Sequence, residues 1–342
     1  MAEKEVTIYD IAKKLNISSA TVSRGLKDHP AINKTTRKKI TGMAREMGYR
    51  SNNFASSLRS RKTNTIGIIV PRLNSYFTSS AIAGMESITN QKGYNLIITQ
   101  SLESFKREIE NAHTMFNNRV DGLIVSLASD TENTDHFQSF FHKNIPVIFF
   151  DRTVETDHSL SIVINNFKAG YDITKHLLEQ GCRRIVHLSG NAVRSLYTDR
   201  LNGYKKALEE YNIPYDESLV IVSNLSQEAG EEAGAFILNM TEKPDGIFAA
   251  NDTSALYCML HLKKTGIKIP EDIAVAGFNN DPITQIVEPN LTTVNYSGYE
   301  MGKNAALHLL QHLNGQSDIQ ITNSIILRSD LIIRESSNRS KT

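Results

Sequence analysis

Short apolar runs alternate with amphipathic helical segments through most of the chain. Mainly apolar runs of three to six residues, bounded by glycine, proline, asparagine or aspartate, have the length of buried strands. The predicted strands are residues 66–70, 94–99, 122–125, 146–150, 161–164, 185–188, 220–222, 246–250 and 273–277. The predicted helices between them are residues 76–91, 105–118, 135–142, 169–180, 199–211, 229–239 and 254–265. This alternation predicts an α/β body built on parallel sheets.

The alternation comes in two consecutive series, which predicts two doubly wound parallel-sheet subdomains. We expect the chain to cross between them near Asn165, again near Thr292, and a third time within residues 324–334. Because ligands bind beyond the carboxyl ends of parallel strands, the two subdomains should face each other across a cleft. The expected segments are about 66–164 and 293–323 for subdomain 1, and about 165–292 and 324–336 for subdomain 2.

Polar and aromatic residues follow several predicted strands, at the place where this cleft would lie. Amides, carboxylates and arginines can bind paired hydroxyl groups, and an aromatic ring can cover the apolar face of a sugar. Taken singly, residues such as Asp252, Asn166 and Asp281 are explained as well by a role in a turn or a helix cap. Together the set predicts a site for a sugar-like effector. The candidate residues are Asn74, Tyr76, Phe77, Asp151, Arg200, Asn251 and Asn279.

The first 62 residues carry the positive charge of the chain. They contain 14 Lys and Arg residues against 5 Asp and Glu, a net charge of +9, whereas the remaining 280 residues have a net charge of −8. The whole-chain value of +1 hides this division. A basic N-terminal segment on an acidic body is typical of a DNA-binding domain joined to another domain.

Three short amphipathic helices are predicted in this basic segment. Thr7 can cap the first helix, which Asn16 ends, and Ser18 or Ser19 can cap the second. Gly48 ends the third helix. Three helices with a tight turn between the first two predict a helix-turn-helix unit, whose second helix enters the major groove of DNA.

The second helix offers small polar side chains and one arginine for contacts with DNA. Arg24 can bind a guanine edge or a phosphate, whereas Ala20 can contact only a thymine methyl group. An isolated arginine is explained equally by a solvated surface charge, but the helix-turn-helix pattern favours DNA contact. Gly25 weakens a helix by about 1 kcal/mol relative to alanine, and nothing in the sequence explains it. The predicted contacts are Thr7, Ser18, Ser19, Ala20, Thr21, Ser23, Arg24 and Lys27.

The chain resembles the lac repressor and galactose repressor family of bacterial transcription regulators over nearly its whole length. In the basic segment, the similar motifs are Thr-Ile-Tyr-Asp-Ile-Ala, Ala-Thr-Val-Ser-Arg, Thr-Arg-Lys-Lys-Ile and Met-Gly-Tyr. In the body, they are Pro-Val-Ile-Phe-Phe-Asp-Arg, Asp-Arg-Leu-Asn-Gly-Tyr, Phe-Ala-Ala-Asn-Asp and Val-Ala-Gly-Phe-Asn-Asn-Asp. The resemblance implies a type I periplasmic-binding-protein fold for the body, with Asp151, Arg200 and Asn251 in the effector pocket. Asn279 stands where relatives often have aspartate, and Leu225 stands where some have an aromatic residue.

Residues 51–65 are polar and basic, which by composition predicts a flexible linker. Asn52 can nevertheless cap a short helix that places Ala55 and Leu58 on one face. The resemblance implies a hinge helix that folds on DNA, with Leu58 inserted into the minor groove and Arg59 at the phosphates. The family usually has proline where this chain has Ser51.

These observations predict a repressor that binds a palindromic operator as a homodimer and is controlled by a sugar-like small molecule. The domains would be a helix-turn-helix domain (1–50), a hinge helix and linker (51–65), and an effector-binding and dimerisation domain (66–342). No leucine heptads end the chain, which favours a dimer over a tetramer held by a coiled coil. We also expect a cytoplasmic protein, because no signal sequence is evident.

Two other classes of protein remain open. A solute-binding receptor would share the body fold, but the basic segment and the lack of a signal sequence argue against it. An enzyme on a doubly wound sheet is disfavoured because no nucleophile–base pair, zinc motif or nucleotide-binding loop occurs. We expect no cofactor and no metal. Cys182 and Cys258 lack metal-ligand spacing and should be buried, reduced thiols.

Overall fold

The computed structural model describes residues 6–49, 62–154 and 156–339. The chain divides into two units, Met1–Thr63 and Asn64–Thr342, referred to below as the head and the body. Among the described residues, no helix has the length and apolar character needed to cross a membrane.

The head is a bundle of three helices: α1 (Ile8–Leu15), α2 (Ser19–Leu26) and α3 (Lys34–Glu46). Its small core includes one fully buried side chain from each helix: Ile11, Val22 and Ile40. The helical apolar spacing in the sequence therefore corresponds to the faces that pack together. The predicted helix-turn-helix architecture is confirmed.

The ends of the head helices follow the sequence signals. Asn16 ends α1 in the left-handed conformation, and Ser18 Oγ caps α2 by accepting from Thr21 N at 3.1 Å. At the start of α1, Thr7 is the N-cap residue of a capping box: its backbone N donates to Asp10 Oδ2 at 2.8 Å, and its hydroxyl donates to the same oxygen at 2.6 Å. The cap of α3 is Asn33, whose Oδ1 accepts from Thr36 N at 2.8 Å.

The structure also explains Gly25 in the middle of α2. This glycine is buried, and a Cβ atom placed on it would lie 2.4 Å from Cδ1 of Ile40 on α3. Glycine thus lets α2 approach α3 closely, which a larger side chain would prevent without a shift of the buried isoleucine. The cost of glycine to the helix is offset by packing of the core.

The body contains twelve strands and eight α-helices within its described residues. The strands are β1 (Thr65–Val70), β2 (Asn95–Gln100), β3 (Gly122–Val125), β4 (Val147–Phe150), β5 (Ser159–Ile164), β6 (Ile185–Ser189), β7 (Val220–Val222), β8 (Gly246–Ala249), β9 (Ala274–Asn279), β10 (Thr292–Asn295), β11 (Ser324–Leu327) and β12 (Asp330–Ile332). The helices are α4 (Tyr76–Gln91), α5 (Phe105–Asn117), α6 (Gln138–His142), α7 (Asn166–Glu179), α8 (Ser195–Glu210), α9 (Gln227–Asn239), α10 (Asp252–Lys264) and α11 (Gly298–Leu313).

The strands form two six-stranded sheets, which define two lobes. Lobe 1 has the strand order β11-β5-β4-β3-β1-β2, and all its pairs are parallel. Lobe 2 has the order β12-β10-β9-β8-β6-β7, and only β12 is antiparallel to its neighbour. The predicted fold class, an all-α helix-turn-helix head and an α/β body of two doubly wound parallel-sheet subdomains, is confirmed.

The lobes to which β10 and β11 belong differ from the sequence-based expectation. Strand β10 pairs with β9 in lobe 2, so the second crossing follows Asn295 instead of preceding residue 293. The third crossing lies between Leu327 and Asp330, inside the expected range 324–334, but β11 pairs with β5 and therefore belongs to lobe 1 instead of lobe 2. Both strands are short, and their sequence pattern does not specify which of two similar sheets they join.

Helix α11 was not identified from the sequence, although it is one of the main helices of lobe 1. It packs closely against α4. A Cβ atom on Gly302 would lie 1.9 Å from Ala81 O, and one on Gly84 would lie 2.1 Å from Tyr299 O. Glycine at both contact points is therefore what permits this packing.

Candidate functional site

A cavity of about 740 Å³ lies between the two lobes, at the carboxyl ends of their parallel strands. Lobe 1 contributes loops after β1 and β4, and lobe 2 contributes the start of α8 and the ends of β8 and β9. All seven residues predicted from the sequence line this one cavity: Asn74, Tyr76, Phe77, Asp151, Arg200, Asn251 and Asn279. Their role in binding an effector stays a prediction, because it concerns a ligand.

Arg200 is the most firmly held polar side chain of the cavity. It is only 3% exposed, and its Nε donates to Asn166 Oδ1 at 2.9 Å while Nη1 donates to Ala250 O at 2.8 Å. Its guanidinium carbon lies 3.5 Å from the centre of the Phe278 ring, a cation–π contact. Burial lowers the pKa of Arg200, and neighbouring Tyr296 opposes this shift. The side chain thus presents fixed hydrogen-bond donors to a ligand.

Asp151 lies on the opposite side of the cavity, in lobe 1. Its carboxylate accepts a hydrogen bond from the hydroxyl of Tyr296, which belongs to the crossing between the lobes. Burial raises the pKa of Asp151, and neighbouring Arg152 together with the Tyr296 hydrogen bond opposes that rise. The Tyr296 ring stacks on Phe77, with ring centres 4.5 Å apart. The contacts of Tyr296 with Asp151 and Phe77 thus join lobe 1 to the crossing segment.

An ion pair that the sequence analysis did not identify also lines the cavity. Arg152 Nη1 lies 2.6 Å from Glu103 Oε2, and Arg152 Nη2 reaches across to the Tyr197 hydroxyl of lobe 2 at 3.4 Å. Burial disfavours the charged form of Glu103, but Arg152 and the backbone N–H of Ser129 hold its pKa below the usual range. Arg72 Nε lies 3.9 Å from the same carboxylate. Glu103 is therefore surrounded by positive charge.

Left-handed backbone conformations are concentrated around the cavity. Four lining residues other than glycine have positive φ angles: Glu103 (61°), Asp151 (58°), Leu225 (55°) and Asn279 (117°). Most residues avoid this region because of steric strain, so its repeated use marks a constrained site. The φ angle of Asn279 lies furthest from the usual left-handed minimum. The cavity walls are thus held in shape by the surrounding fold.

Several of the predicted residues also carry structural roles. Asn251 caps α10, since its Oδ1 accepts from Ser254 N at 2.8 Å, and its Nδ2 donates to Leu225 O at 2.9 Å. In contrast, Asn74, Tyr76 and Asn279 form no side-chain hydrogen bond with any other described residue. These three side chains are free to bind a ligand, whereas Asn251 chiefly maintains the cavity wall.

Two carboxyl groups lie close together near the end of β9, and one of them, Asp281, lines the cavity. Asp252 is fully buried, and its oxygens accept from Thr293 Oγ1 at 2.7 Å and from Asp281 N at 2.8 Å. Burial, and then the charge of Asp281, raise the pKa of Asp252 to about 7. Burial raises the pKa of Asp281 to about 6, and its Oδ1 is buried without a partner among the described residues.

In the head, the predicted DNA contacts lie on α2 and at the start of α1. Thr7, Ser18, Ala20, Arg24 and Lys27 are exposed; the half-buried members of the set are Ser19, Thr21 and Ser23. The sequence analysis passed over Tyr9 of α1, which is 69% exposed. The predicted hinge residues Asn52, Ala55, Leu58 and Arg59 lie outside the described residues.

Comparison with known proteins agrees with this architecture. A family model described as bacterial regulatory proteins, lacI family, matches residues 7–52, and a periplasmic binding protein-like domain matches residues 174–337. Catabolite control protein A of Priestia megaterium is 30% identical over 313 residues, covering 91% of this chain and 94% of that protein. The transcriptional repressor PurR of Vibrio atlanticus is 33% identical over 307 residues, covering 90% and 92%.

Among solved structures, the lac repressor dimer bound to operator and the anti-inducer ONPF matches with a TM-score of 0.84. The match is 24% identical and covers 98% of this chain and 99% of that one, so it shows the shared fold. The family match of the head removes the solute-binding receptor as an alternative, and the relatives are regulators, not enzymes. The chain belongs to the lacI family of bacterial regulatory proteins and is a DNA-binding transcription regulator.

Proposed function

We propose that this regulator is a repressor that binds a palindromic operator as a homodimer and responds to a neutral, sugar-like effector in the interlobe cavity. The division into a DNA-binding domain (1–50), a hinge (51–65) and an effector-binding domain (66–342) belongs to the same proposal. It acts in the cytoplasm, where operator DNA lies. The observation that carries the proposal is the set of free, neutral polar groups in a cavity whose charges are already balanced.

The charge balance of the cavity favours a neutral ligand. Its lining contains three arginines and four carboxylates, so it has no surplus of positive charge for a phosphate. Arg152 is paired with Glu103, and Arg200 is bonded to an amide and a carbonyl. A sugar phosphate would have to compete with these contacts, whereas hydroxyl groups can bind the uncommitted side chains of Asn74 and Asn279.

The arrangement of aromatic residues in the cavity favours a sugar as the ligand and disfavours a planar nucleobase. Tyr76 lines the cavity and is 53% exposed, so one face is free to cover the apolar side of a sugar. Phe77 and Tyr296, in contrast, stack on each other and leave no slot between them for a base. Leu225 lines the cavity with an aliphatic side chain. Only one exposed ring is thus offered to the ligand.

Exposed apolar side chains on the edge strands support a homodimer. Strand β2 ends one sheet and β7 ends the other, and they expose Ile98 (38%) and Val222 (61%). Unpaired edge strands with apolar residues favour association with another chain. A homodimer with twofold symmetry would present two α2 helices to two half-sites of a palindrome.

In the proposed complex, α2 enters the major groove and the hinge enters the minor groove. Contacts from the head would come from Thr7, Ser18, Ser19, Ala20, Thr21, Ser23, Arg24 and Lys27. Contacts from the hinge would come from Asn52, Ala55, Leu58 and Arg59. Half-buried hydroxyl groups and the exposed Arg24 on α2 support this placement, because they suit phosphates and base edges.

The proposal can be tested by incubating the full-length protein with fragmented genomic DNA of its source and sequencing what it retains. We expect enrichment of a shared palindrome, and the neighbouring genes would indicate the class of effector. The recovered operator is then titrated in the presence of a panel of neutral sugars, sugar phosphates and nucleobases. Loss of binding caused by a neutral sugar supports the proposal. No enrichment under any of these conditions, or a response to a phosphate or base alone, contradicts it.

A further inference from the structure

Outside the cavity, the two lobes also meet at Arg194. This residue immediately precedes α8 of lobe 2 and is 7% exposed. Its Nη2 donates to the backbone oxygen of Thr131, which belongs to the loop after β3 of lobe 1. Among the described residues, this is the only hydrogen bond of the Arg194 side chain, and its Nε is buried without a partner. The guanidinium is therefore held by the opposite lobe.

The site that receives Arg194 is built around a buried carboxylate of lobe 1. Glu108 of α5 is fully buried, and its Oε2 accepts from Ala128 N at 2.6 Å. Its Oε1 lies 3.0 Å from Thr131 Oγ1 and 3.0 Å from His136 Nε2. Every one of these residues belongs to lobe 1, so the carboxylate is fixed before lobe 2 approaches.

The charges of Arg194 and Glu108 are complementary across the gap between the lobes. Burial lowers the pKa of Arg194, and of the charges that oppose this shift, that of Glu108 has the largest effect. Removing a positive charge from the vicinity of a buried carboxylate is costly, because water does not replace it. Separation of the lobes would withdraw Arg194 while Glu108 stayed buried on α5. The contact therefore favours the closed arrangement of the cleft.

We infer that Arg194 and the Glu108–Thr131–His136 cluster form an interlobe latch that sets the balance between closed and open cleft. These four residues do not line the cavity described above. The latch itself does not depend on the proposed function. Its expected effect on effector binding does, because effector affinity scales with the fraction of protein in the binding-competent state. It is a regulatory element of the effector site located away from the effector.

The latch can be tested on the ligand-free, full-length protein by measuring distances between two spin labels. Cysteines introduced at exposed His113 on α5 and exposed Asn202 on α8 place one label on each lobe. The native Cys182 and Cys258 are buried and stay unlabelled. Dilution with unlabelled protein removes distances between subunits. Pulsed electron spin resonance then reports the populations of closed and open lobes.

We expect Arg194→Met to reduce the ratio of closed to open protein by roughly 5- to 150-fold, the usual range for coupling between states. Arg194→Lys, which keeps the charge but not the planar donor group, should give a smaller reduction. The matched control is Arg183→Met, since Arg183 Nη1 donates to Leu178 O and Cys182 O within lobe 2. Circular dichroism establishes that each variant is folded.

An unchanged distance distribution in folded Arg194→Met protein would overturn the latch. If that variant does not fold, Arg194→Lys and Glu108→Gln provide the same test, and a wild-type distribution in both overturns it. The readout needs neither DNA nor effector, so it is independent of the proposed sugar response. Where a neutral sugar of the panel binds, its affinity should fall in Arg194→Met by the same factor as the closed population. If no neutral sugar of the panel binds, the proposed function is contradicted and the latch result stays intact.

Discussion

The head and the body use polar residues in opposite ways. In the head, five buried apolar residues form the core, and groups proposed to bind DNA, such as Arg24 and Lys27, lie on the surface. In the body, the groups proposed to bind an effector include Arg200, which is 3% exposed and fixed by two hydrogen bonds. A surface group can be replaced with little effect on the fold, whereas a buried charged group cannot. Substitution of a binding group in the head should therefore change DNA affinity with little change in stability, whereas substitution of a buried binding group in the body should change both ligand affinity and stability.

The largest effect is expected in the hinge, for Leu58→Gly. Removing the proposed minor-groove wedge should lower operator affinity by on the order of 100-fold, or about 3 kcal/mol, because a kinked duplex could no longer be stabilised. Affinity for nonspecific DNA should change little, since it depends on phosphate contacts. Fluorescence anisotropy with both DNAs measures the two losses. Ser57→Gly is the matched control for the flexibility of glycine, and equal losses of operator and nonspecific affinity in Leu58→Gly contradict the wedge.

In the body, Arg200→Met should lower the affinity for the effector sugar by about 2 kcal/mol or more, because charged hydrogen bonds of this kind contribute about 1.5–3 kcal/mol each. The melting temperature should fall as well, since Asn166 Oδ1 and Ala250 O lose their donor. Isothermal titration calorimetry and thermal unfolding measure the two effects. Lys205→Met on the same helix is the control. Unchanged sugar affinity in a folded Arg200→Met protein would remove Arg200 from the proposed site.

The pH dependence of stability should distinguish the body from the head. Because the folded pKa values of Asp252 and Asp281 are raised to about 7 and about 6, both hold protons that the unfolded chain has already released near pH 4. Their contribution to stability is complete at acid pH and is lost as the pH rises through about 6–7. The free energy of unfolding should thus fall between pH 4 and pH 7 in both proteins. The fall should be smaller in Asp281→Asn than in wild type, by about 2 kcal/mol.

Denaturant titrations across this pH range measure that difference for the unfolding of the body. A profile of Asp281→Asn that runs parallel to that of wild type shows that the two carboxyl groups do not share a buried environment. The head, which has its own small core, should unfold without this pH dependence.

Much of the fold could be predicted because its signals are local. The helix Tyr76–Gln91 and the strands Gly122–Val125 and Val220–Val222 have the predicted bounds, since apolar spacing and neighbouring turn residues mark both ends. Helix α11 and strand β10 were not predicted, and residues 293–295 of β10 were placed in the wrong subdomain. Membership in one of two similar sheets depends on contacts with residues far away in the sequence, which a local pattern does not contain.

The distinction between local sequence signals and distant contacts also applies to the cavity. Seven residues could be placed together because parallel strands of each lobe bring their carboxyl ends to one edge. Glu103 and Tyr296 were missed, although both lie in the cavity wall. Their positions depend on partners distant in the chain, Arg152 for Glu103 and Asp151 for Tyr296. Glu103 lies three residues after the end of strand β2, so a search for polar residues after every predicted strand would have found it.

The smallest effect is expected in the head, where two arginines separate DNA binding from folding. Arg24 is exposed, whereas Arg37 Nη2 donates to His29 O at 3.2 Å and Nη1 lies 3.1 Å from Asp28 Oδ1. Arg24→Ala should reduce operator affinity roughly tenfold, or by about 1.4 kcal/mol, with no change in the melting temperature of the head.

Arg37→Ala should instead lower the melting temperature of the head, because its contacts hold the segment before α3 to that helix. DNA affinity measured well below that temperature should change less than in Arg24→Ala. Calorimetry of the head transition and anisotropy with operator DNA give the two quantities for each variant. If Arg24→Ala lowers the melting temperature and Arg37→Ala does not, the exposed arginine stabilises the fold. The contrast between a surface that binds DNA and a core that stabilises the fold would then not hold, because Arg24 would do both.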